Sequence, residues 1–598
     1  MMVGQTFLSA GTGRNACPTG NCRASQRPLA ARRLSNVMKR RLFVTMAVSC
    51  ALLPLACSRR EGDDRTRAKD GPGAPAKPTQ PATERAGCES NLVFFAEALK
   101  QYASRHDGEM PLNVLFFAEA ASPDVRRFKC PSGRAELGQA PDPDSWGDYV
   151  FPSMGAKNVA PTQIVAYCRG CLALYGETAA ARADGSVTRL SAAALAERLA
   201  AQEAASAPRT RFDPQAENSG GFRGPNRDGR FPASGLLTRW PEGGPKLAWK
   251  KTIARGWTAA SVAGGSVFFC GAALTGTMWA FSLDGELRWV TNYGPEGAKA
   301  QAQPRATPAV AAGRIFYTSM MGVLICLDAA DGKVLWRTDL RPLGGGGTSA
   351  SPLVCGDNVV VSICSRSADV PCFLAFRTRD GTLAWKGNFG PCPEEGKGWS
   401  NFHSSPILVH AEGRRLVVDQ FFRCLGAVDA ETGEKVWVQL TTGYSTSPTS
   451  HEGYLLMQGR RMLKVLRDGN VEELWQKDLG IKEYGVSYSH STIANGRVYV
   501  FTPGAVKMFD ARTGAELARS PCGGSGSLQM AEGLLYVLDG RPRVTLIRPT
   551  DAALEQVSSF TPDIPGGREL YTHAVIAEGR LFLRNHTEVR VYDLRAAK

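Results

Sequence analysis

The sequence predicts an all-β chain, an eight-bladed β-propeller of four-stranded antiparallel blades, with a small N-terminal α+β domain ahead of it. Three observations predict this. One unit recurs from residue 247 to the end of the chain. Tryptophans close successive units at spacings of 47, 49, 52 and 38 residues, from Trp289 through Trp336, Trp385 and Trp437 to Trp475. A lone strand, Leu247-Ala248-Trp249-Lys250, stands before the first unit, and the last unit lacks its fourth strand.

The unit reads as a small polar residue and Pro, an apolar strand, a Gly-Arg turn, a second strand, a third strand ending in Asp, a Thr-Gly or Asp-Gly turn, and a strand ending in Trp. Thr307-Pro308, Gly313-Arg314, Asp328, Asp331-Gly332 and Trp336 form the clearest copy. Ser351-Pro352 leads to Trp385, Ser405-Pro406 to Trp437, and Ser447-Pro448 to Trp475. Four strands of five or six residues plus turns need about forty residues, so each unit is one blade. A lone blade exposes two apolar faces and two edges, and ring closure buries them. The units begin near residues 258, 307, 351, 405, 447, 491, 527 and 573. In the unit at 491–518 Leu517 replaces the tryptophan, and 527–558 keeps its Gly533 turn and little after Ile547, which leaves a seven-bladed count open. The strand at Trp249 is expected to complete the last blade.

The N-terminal part divides by composition. Residues 1–37 read as an over-extended start, with Met38 the initiator. In residues 38–57, Lys39-Arg40-Arg41 precedes the apolar run Leu42–Ala56, the pattern of a signal peptide too short for a comfortable membrane span. Leu53-Pro54-Leu55-Ala56-Cys57 is similar to a bacterial lipobox, so Cys57 is a candidate for lipidation and a lipid anchor. Residues 58–86, charged and rich in Pro, Gly and Ala, read as a disordered tether. Residues 87–200 form the small α+β domain, opening on a helix with Leu92, Phe95, Ala96, Leu99 and Tyr102 on one face. Its helix, Cys-Pro loop and Ala183-Asp184-Gly185-Ser186-Val187 turn resemble the globular part of pilin-like proteins. Residues 201–245 are a linker and lead-in, residues 246–598 the propeller.

Net charge is +15, but residues 1–60 hold ten Lys or Arg and no acidic residue, so the remainder carries only +5. The body has no basic helix and no dense basic run with interleaved aromatics, and no nucleic-acid partner is expected. Sixteen cysteines agree with an oxidising, exported location at the periplasmic face of a membrane or in the cell envelope.

The Asp, Thr/Asp-Gly, Trp pattern resembles the docking motif of quinoprotein alcohol dehydrogenases, and equally the PQQ-like repeats of the propeller lipoproteins of outer-membrane protein assembly (the BamB family). The lead-in Gly221-Phe222-Arg223-Gly224-Pro225-Asn226-Arg227-Asp228-Gly229 resembles that of exported propellers of this kind. It is expected to run along the propeller surface, with no chemistry assigned. The resemblance implies that Trp249, Trp289, Trp336, Trp385, Trp437 and Trp475 dock blades, each indole N–H on a neighbouring carbonyl. It also puts an enzyme reading in view, since dehydrogenases of this family hold a quinone (PQQ) with calcium in the axial channel, often beside a disulfide of adjacent cysteines. This chain has no adjacent cysteine pair. Asp328, Asp429, Asp510 and Asp593 fall at repeat positions that suit turn hydrogen bonds, and no Glu, Asn and Asp set suggests a calcium cage. No catalytic residue, metal or cofactor is therefore expected.

A ligand site, if the propeller has one, belongs where the innermost strands begin. Unusual residues stand there: Trp257 and Arg305; Trp399, Asn401, Phe402 and His403; Tyr444; Tyr484, Tyr488 and His490; Tyr571 and His573. Of the cysteines, Cys88, Cys130, Cys168 and Cys171 share the small domain and suggest two disulfides, with zinc the lesser alternative, and Cys364 and Cys372 flank a short segment and suggest a disulfide that staples a hairpin or loop. The expected function is a non-enzymatic envelope binding or scaffold protein with an envelope protein or peptide as partner. The alternatives are a PQQ-dependent oxidoreductase and a carbohydrate- or small-ligand-binding propeller.

Overall fold

The computed structural model describes residues 80–596, apart from 107, 112–116, 118–124, 134–144, 147, 205–219, 273–274, 297–302, 364–369, 391–402, 423, 442–445, 480–490, 524–525, 540–542 and 564–571. Residues 1–79, with the signal-like segment and Cys57, lie outside them.

The small domain packs the helix Ala82–Arg105 on a five-stranded antiparallel sheet in sequence order, from Ser145–Trp146 to Val187–Ser191, and ends in the helix Ala192–Ala204. Leu92, Phe95, Ala96 and Leu99 are buried as their spacing predicts. Phe95 is central, with the rings of Phe117, Phe128, Tyr149 and Phe151 at 4.8–6.3 Å. The helix starts five residues before the boundary set by composition. Gln80 is buried and Glu84 accepts from Tyr175 Oη at 3.1 Å, so tertiary contacts order a segment whose composition alone argues for a tether.

Eight four-stranded antiparallel blades follow. The first seven blades run in sequence, from Ser261–Gly294 to Gly526–Phe560. The eighth, Val575–Asp593, has three strands and takes Leu247–Thr252 as its fourth, with Val591 opposite Trp249. The chain is thus an eight-bladed propeller closed by its own first strand. Arg584, buried in blade eight, binds the seam by donating to Ala254 O (3.0 Å), Thr258 O (3.2 Å) and Cys270 O (2.6 Å) of blade one.

The six repeat tryptophans sit where blades meet. Their Nε1 groups donate to Leu283, Ala329, Thr378, Ala430, Gly469 and Ala511 carbonyls of the following blade at 2.7–3.2 Å. In five of the six the ring lies on the turn glycine of that blade, while Gly469, opposite Trp437, faces Leu416. A Cβ on Gly332 would meet Trp289 at 2.5 Å, and one on Gly381 would meet Trp336 at 2.6 Å. Both glycines have φ near +75°, so the Asp-Gly turn supplies a left-handed bend and a flat seat together. Each blade has a register shift in its outer strand pair beside the tryptophan position. Such a bulge adds twist and turns the indole toward the neighbour.

That register corrects one assignment. Opposite Met508, in the tryptophan position of blade six, stands Ala518, while Leu517 points outward and is exposed. In blade seven the position holds Ser558, opposite Leu546. The missing ring comes from the lead-in. Trp240 N donates to Ser558 Oγ at 3.1 Å, and its indole meets the Phe560 ring edge-on at 5.1 Å.

Candidate functional site: the axial channel and its mouth

The innermost strands of a propeller face the axis with one edge unpaired, so their carbonyls and N–H groups need other partners. The Ser/Thr-Pro steps supply some. Ala259 N donates to Thr307 Oγ1, Thr307 N to Ser351 Oγ, Ser351 N to Ser405 Oγ and Ser405 N to Ser447 Oγ, at 2.9–3.3 Å, so each of blades two to five holds the previous one at the channel rim. Carbonyls at the same steps remain.

The lead-in takes these carbonyls, and it does so inside the channel rather than on the surface, against expectation. Arg227 donates from Nη1 to Ser351 O (3.1 Å) and Pro406 O (2.8 Å), and from Nη2 to Pro352 O. Arg223 donates to Thr449 Oγ1 at 3.0 Å and to Ser491 O. Gly220 O accepts from Val310 N and Gly229 O from Met530 N. Arg230–Phe231 then adds a short parallel strand to Met530 and Ala531 of blade seven. One decapeptide therefore touches blades two to eight. A guanidinium with five donors in a plane suits converging carbonyls better than any other side chain.

The motif's composition follows from this placement. Arg223 and Arg227 both adopt left-handed backbone (φ 59° and 58°), a strain that a segment this enclosed sustains. A Cβ on Gly221 would meet Pro308 O at 2.8 Å, and one on Gly224 would meet Arg230 O at 2.6 Å. Burial lowers Arg223 to about 10 and Arg227 to about 9, so both stay charged at neutral pH. Asp228 and Asp419 supply the opposing charge, and both carboxylates are fully buried. Burial raises Asp419 to about 6, against hydrogen bonds from Ser362 and Ser404.

In each blade the turns after the first and third strands lie at one end, and the loops into the first strand and after the second lie at the other, which we call the mouth. The lead-in leaves from the turn end, where Glu532 accepts from Gly235 N and Leu236 N at 3.0 and 2.8 Å. Pro225, Asn226 and Arg227 also wall a cavity of about 340 Å³ there with Leu408, His410 and His451. His451 lies 3.5 Å from Asp228 and 3.6 Å from Glu452. Sequence reading did not single out His410 or His451, because each is a single histidine ending an ordinary strand.

The anticipated mouth residues divide. His403 Nδ1 and Ser349 Oγ are 3.1 Å apart, and crowding together with the nearby Arg305 guanidinium holds His403 below its ordinary pKa. These three come from the first-strand loops of blades two, three and four. Trp257, half-buried, meets the His586 ring at 3.8 Å. His573 serves the lead-in instead. It is buried, its Nε2 accepts from Arg223 N at 3.0 Å, and desolvation with Arg223 lowers it to about 3. Trp399, Asn401, Phe402, Tyr444, Tyr484, Tyr488, His490, Tyr571 and Cys364 lie outside the described residues. Cys372 is buried, its Sγ 3.8 Å from Asn388 Oδ1.

The four small-domain cysteines converge in a buried cluster of free thiols. Asp429 and Asp510 accept the backbone N–H groups of their turns, as at Thr432 (3.1 Å) and Thr513 (2.7 Å). Among the described residues no helix is long and apolar enough to cross a membrane.

No curated protein matches the chain. The fold is similar to the crystal structure of BamB from Moraxella catarrhalis, at 16% identity and TM-score 0.42, covering 59% of this chain and 98% of that one. It is also similar to quinohemoprotein alcohol dehydrogenase from Comamonas testosteroni, at 12% identity and TM-score 0.48, covering 64% and 81%. A europium-containing methanol dehydrogenase matches at 14% and TM-score 0.46, covering 61% and 89%. With residues 280–418 and 374–582 matched, just over half of its length, the chain belongs to the family described as outer membrane protein assembly factor BamB.

Proposed function

We propose that this propeller is a non-enzymatic binding or scaffold protein of the cell envelope, which offers its mouth to a protein partner. The observation that carries the reading is the filled channel. Arg223 and Arg227 take up the inner-strand carbonyls that a channel ligand would otherwise meet, and they are too enclosed to move aside cheaply. Among the described residues, Arg305, Ser349 and His403 stand together at the rim, on a rigid frame. Family membership and the signal-like segment 38–57 support export, and Cys57 supports a lipid anchor in the envelope. The quinone reading has the shared fold in its favour, but the sequence has no adjacent cysteine pair, and among the described residues the cluster that could hold a metal is that of the four small-domain cysteines.

Two experiments test this. Residues 58–598 are titrated with pyrroloquinoline quinone and calcium, with a dye-linked alcohol oxidation assay on the same sample. We expect neither binding nor turnover, and micromolar binding with turnover would replace the reading by an oxidoreductase. A photo-crosslinker is then placed at Ser349, on the mouth, or at Asp331, in a turn at the opposite end, in living cells. A discrete protein adduct from Ser349 alone is expected; equal adducts from both would remove the mouth from the account.

A further inference from the structure

We propose that the small domain holds one zinc ion, bound by the thiolates of Cys88, Cys130, Cys168 and Cys171. The four residues come from separate places: the second turn of the helix Ala82–Arg105, the Cys-Pro loop, the end of the strand Ile164–Cys168, and the helix that follows it. All four are at most 2% exposed, and their sulfurs lie within 4.8 Å of one another. Cys130 Sγ is 3.5 Å from Cys171 Sγ, which is 3.7 Å from Cys88 Sγ. A tetrahedral zinc with bonds of about 2.3 Å separates its sulfurs by about 3.8 Å, whereas a disulfide needs about 2.05 Å. The spacing is that of four ligands around one centre, not of two bonded pairs.

The surroundings give an independent argument, because they donate to sulfur. Cys171 N–H points at Cys168 Sγ (3.4 Å), the turn by which a Cys-x-x-Cys pair presents both sulfurs to one ion. Gln80 Nε2 donates to Cys171 Sγ at 3.1 Å, and Arg189 fixes that amide through its oxygen at 3.2 Å. Tyr149 Oη lies 3.6 Å from Cys88 Sγ and accepts from Asn91 Nδ2 at 3.1 Å, so its own proton is left for the sulfur. Neutral thiols gain little from three donors; metal-bound thiolates are stabilised by them. The two cysteine loops are also held together. Asp148 accepts from Cys130 N at 3.0 Å, and its backbone O accepts from Arg169 N at 2.9 Å. A Cβ on Gly133 would meet its carboxylate at 2.1 Å, so the loop closes only over glycine. With four protein ligands and no exposed sulfur, this is a closed, structural site.

The test uses the full chain, purified without chelator, with zinc measured by mass spectrometry and the four cysteines mapped by differential alkylation under non-reducing conditions. About one zinc per chain is expected, with the four thiols unreactive until zinc is removed. Cobalt exchange should give the thiolate charge-transfer band and tetrahedral d–d bands. Cys168→Ser should lower zinc affinity at least tenfold while the near-ultraviolet signal of the propeller tryptophans stays unchanged. Protein with an intact propeller signal that holds no zinc and takes up neither zinc nor cobalt after reduction overturns the proposal. So does recovery of the four cysteines as two disulfides.

Discussion

At the scale of residues, function and stability meet in two arginines that satisfy other blades' backbones. Arg227→Met leaves the carbonyls of Ser351, Pro352 and Pro406 unpaired and Asp419 without its counter-charge. Unfolding in denaturant should show a loss of at least about 3 kcal/mol, while Arg379→Met on the surface should stay within about 0.5 kcal/mol. His573 gives a pH signature. Its ordinary value of 6.5 drops to about 3 in the folded chain, so only the unfolded chain binds this proton between those values. Its contribution is complete above pH 6.5 and is lost as pH falls toward 3. Asp419, raised from 3.8 to about 6, slopes the other way, since the folded chain holds its proton longer. Subtracting the stability-versus-pH curve of His573→Gln from that of the natural chain removes the Asp419 part. The difference should decline from pH 6.5 downward, and a flat difference would show that the ring does not accept from Arg223.

Among elements, the recurring device is an indole on a glycine of the next blade. Trp336→Ala should cost about 3–5 kcal/mol, as for other buried aromatics. Gly381→Ala should also destabilise, because its φ is +74° and a Cβ would meet Trp336 at 2.6 Å. The two substitutions share one contact, so the double variant should lose less than the sum, measured by a double-mutant cycle. Blade seven depends instead on the lead-in. Trp240→Ala should increase hydrogen exchange in Arg543–Pro549 and Leu554–Phe560 well before it does so in blade four; uniform exchange across blades would deny the bracing role. Sequence reading misplaced the tryptophan position of blade six by one residue. A period-2 strand with a bulge can be read in two registers, and only its partner Met508 selects Ala518 over Leu517.

For the molecule as a whole, closure is the step that makes eight similar units one body. The strand Leu247–Thr252 and Arg584 both act on the seam between the last blade and the first. Arg584→Leu should raise the unfolding rate by more than the same change at exposed Arg512, measured by denaturant jumps.

Blade count, the closing strand, the docking tryptophans and the turn aspartates were all legible in the sequence. Each is set by alternation, turn chemistry or a repeat, and these act over a few residues. Only the tertiary structure decided where the lead-in goes and what the small-domain cysteines do together. Arg223 and Arg227 read as surface residues because their partners are backbone carbonyls 124 to 268 residues away, which carry no side-chain identity to recognise. Cys88 and Cys130 join Cys168 and Cys171 only when a helix and a loop pack at the end of the sheet's middle strand. Local patterns encode elements, whereas a buried polar group is satisfied by whatever the fold brings to it.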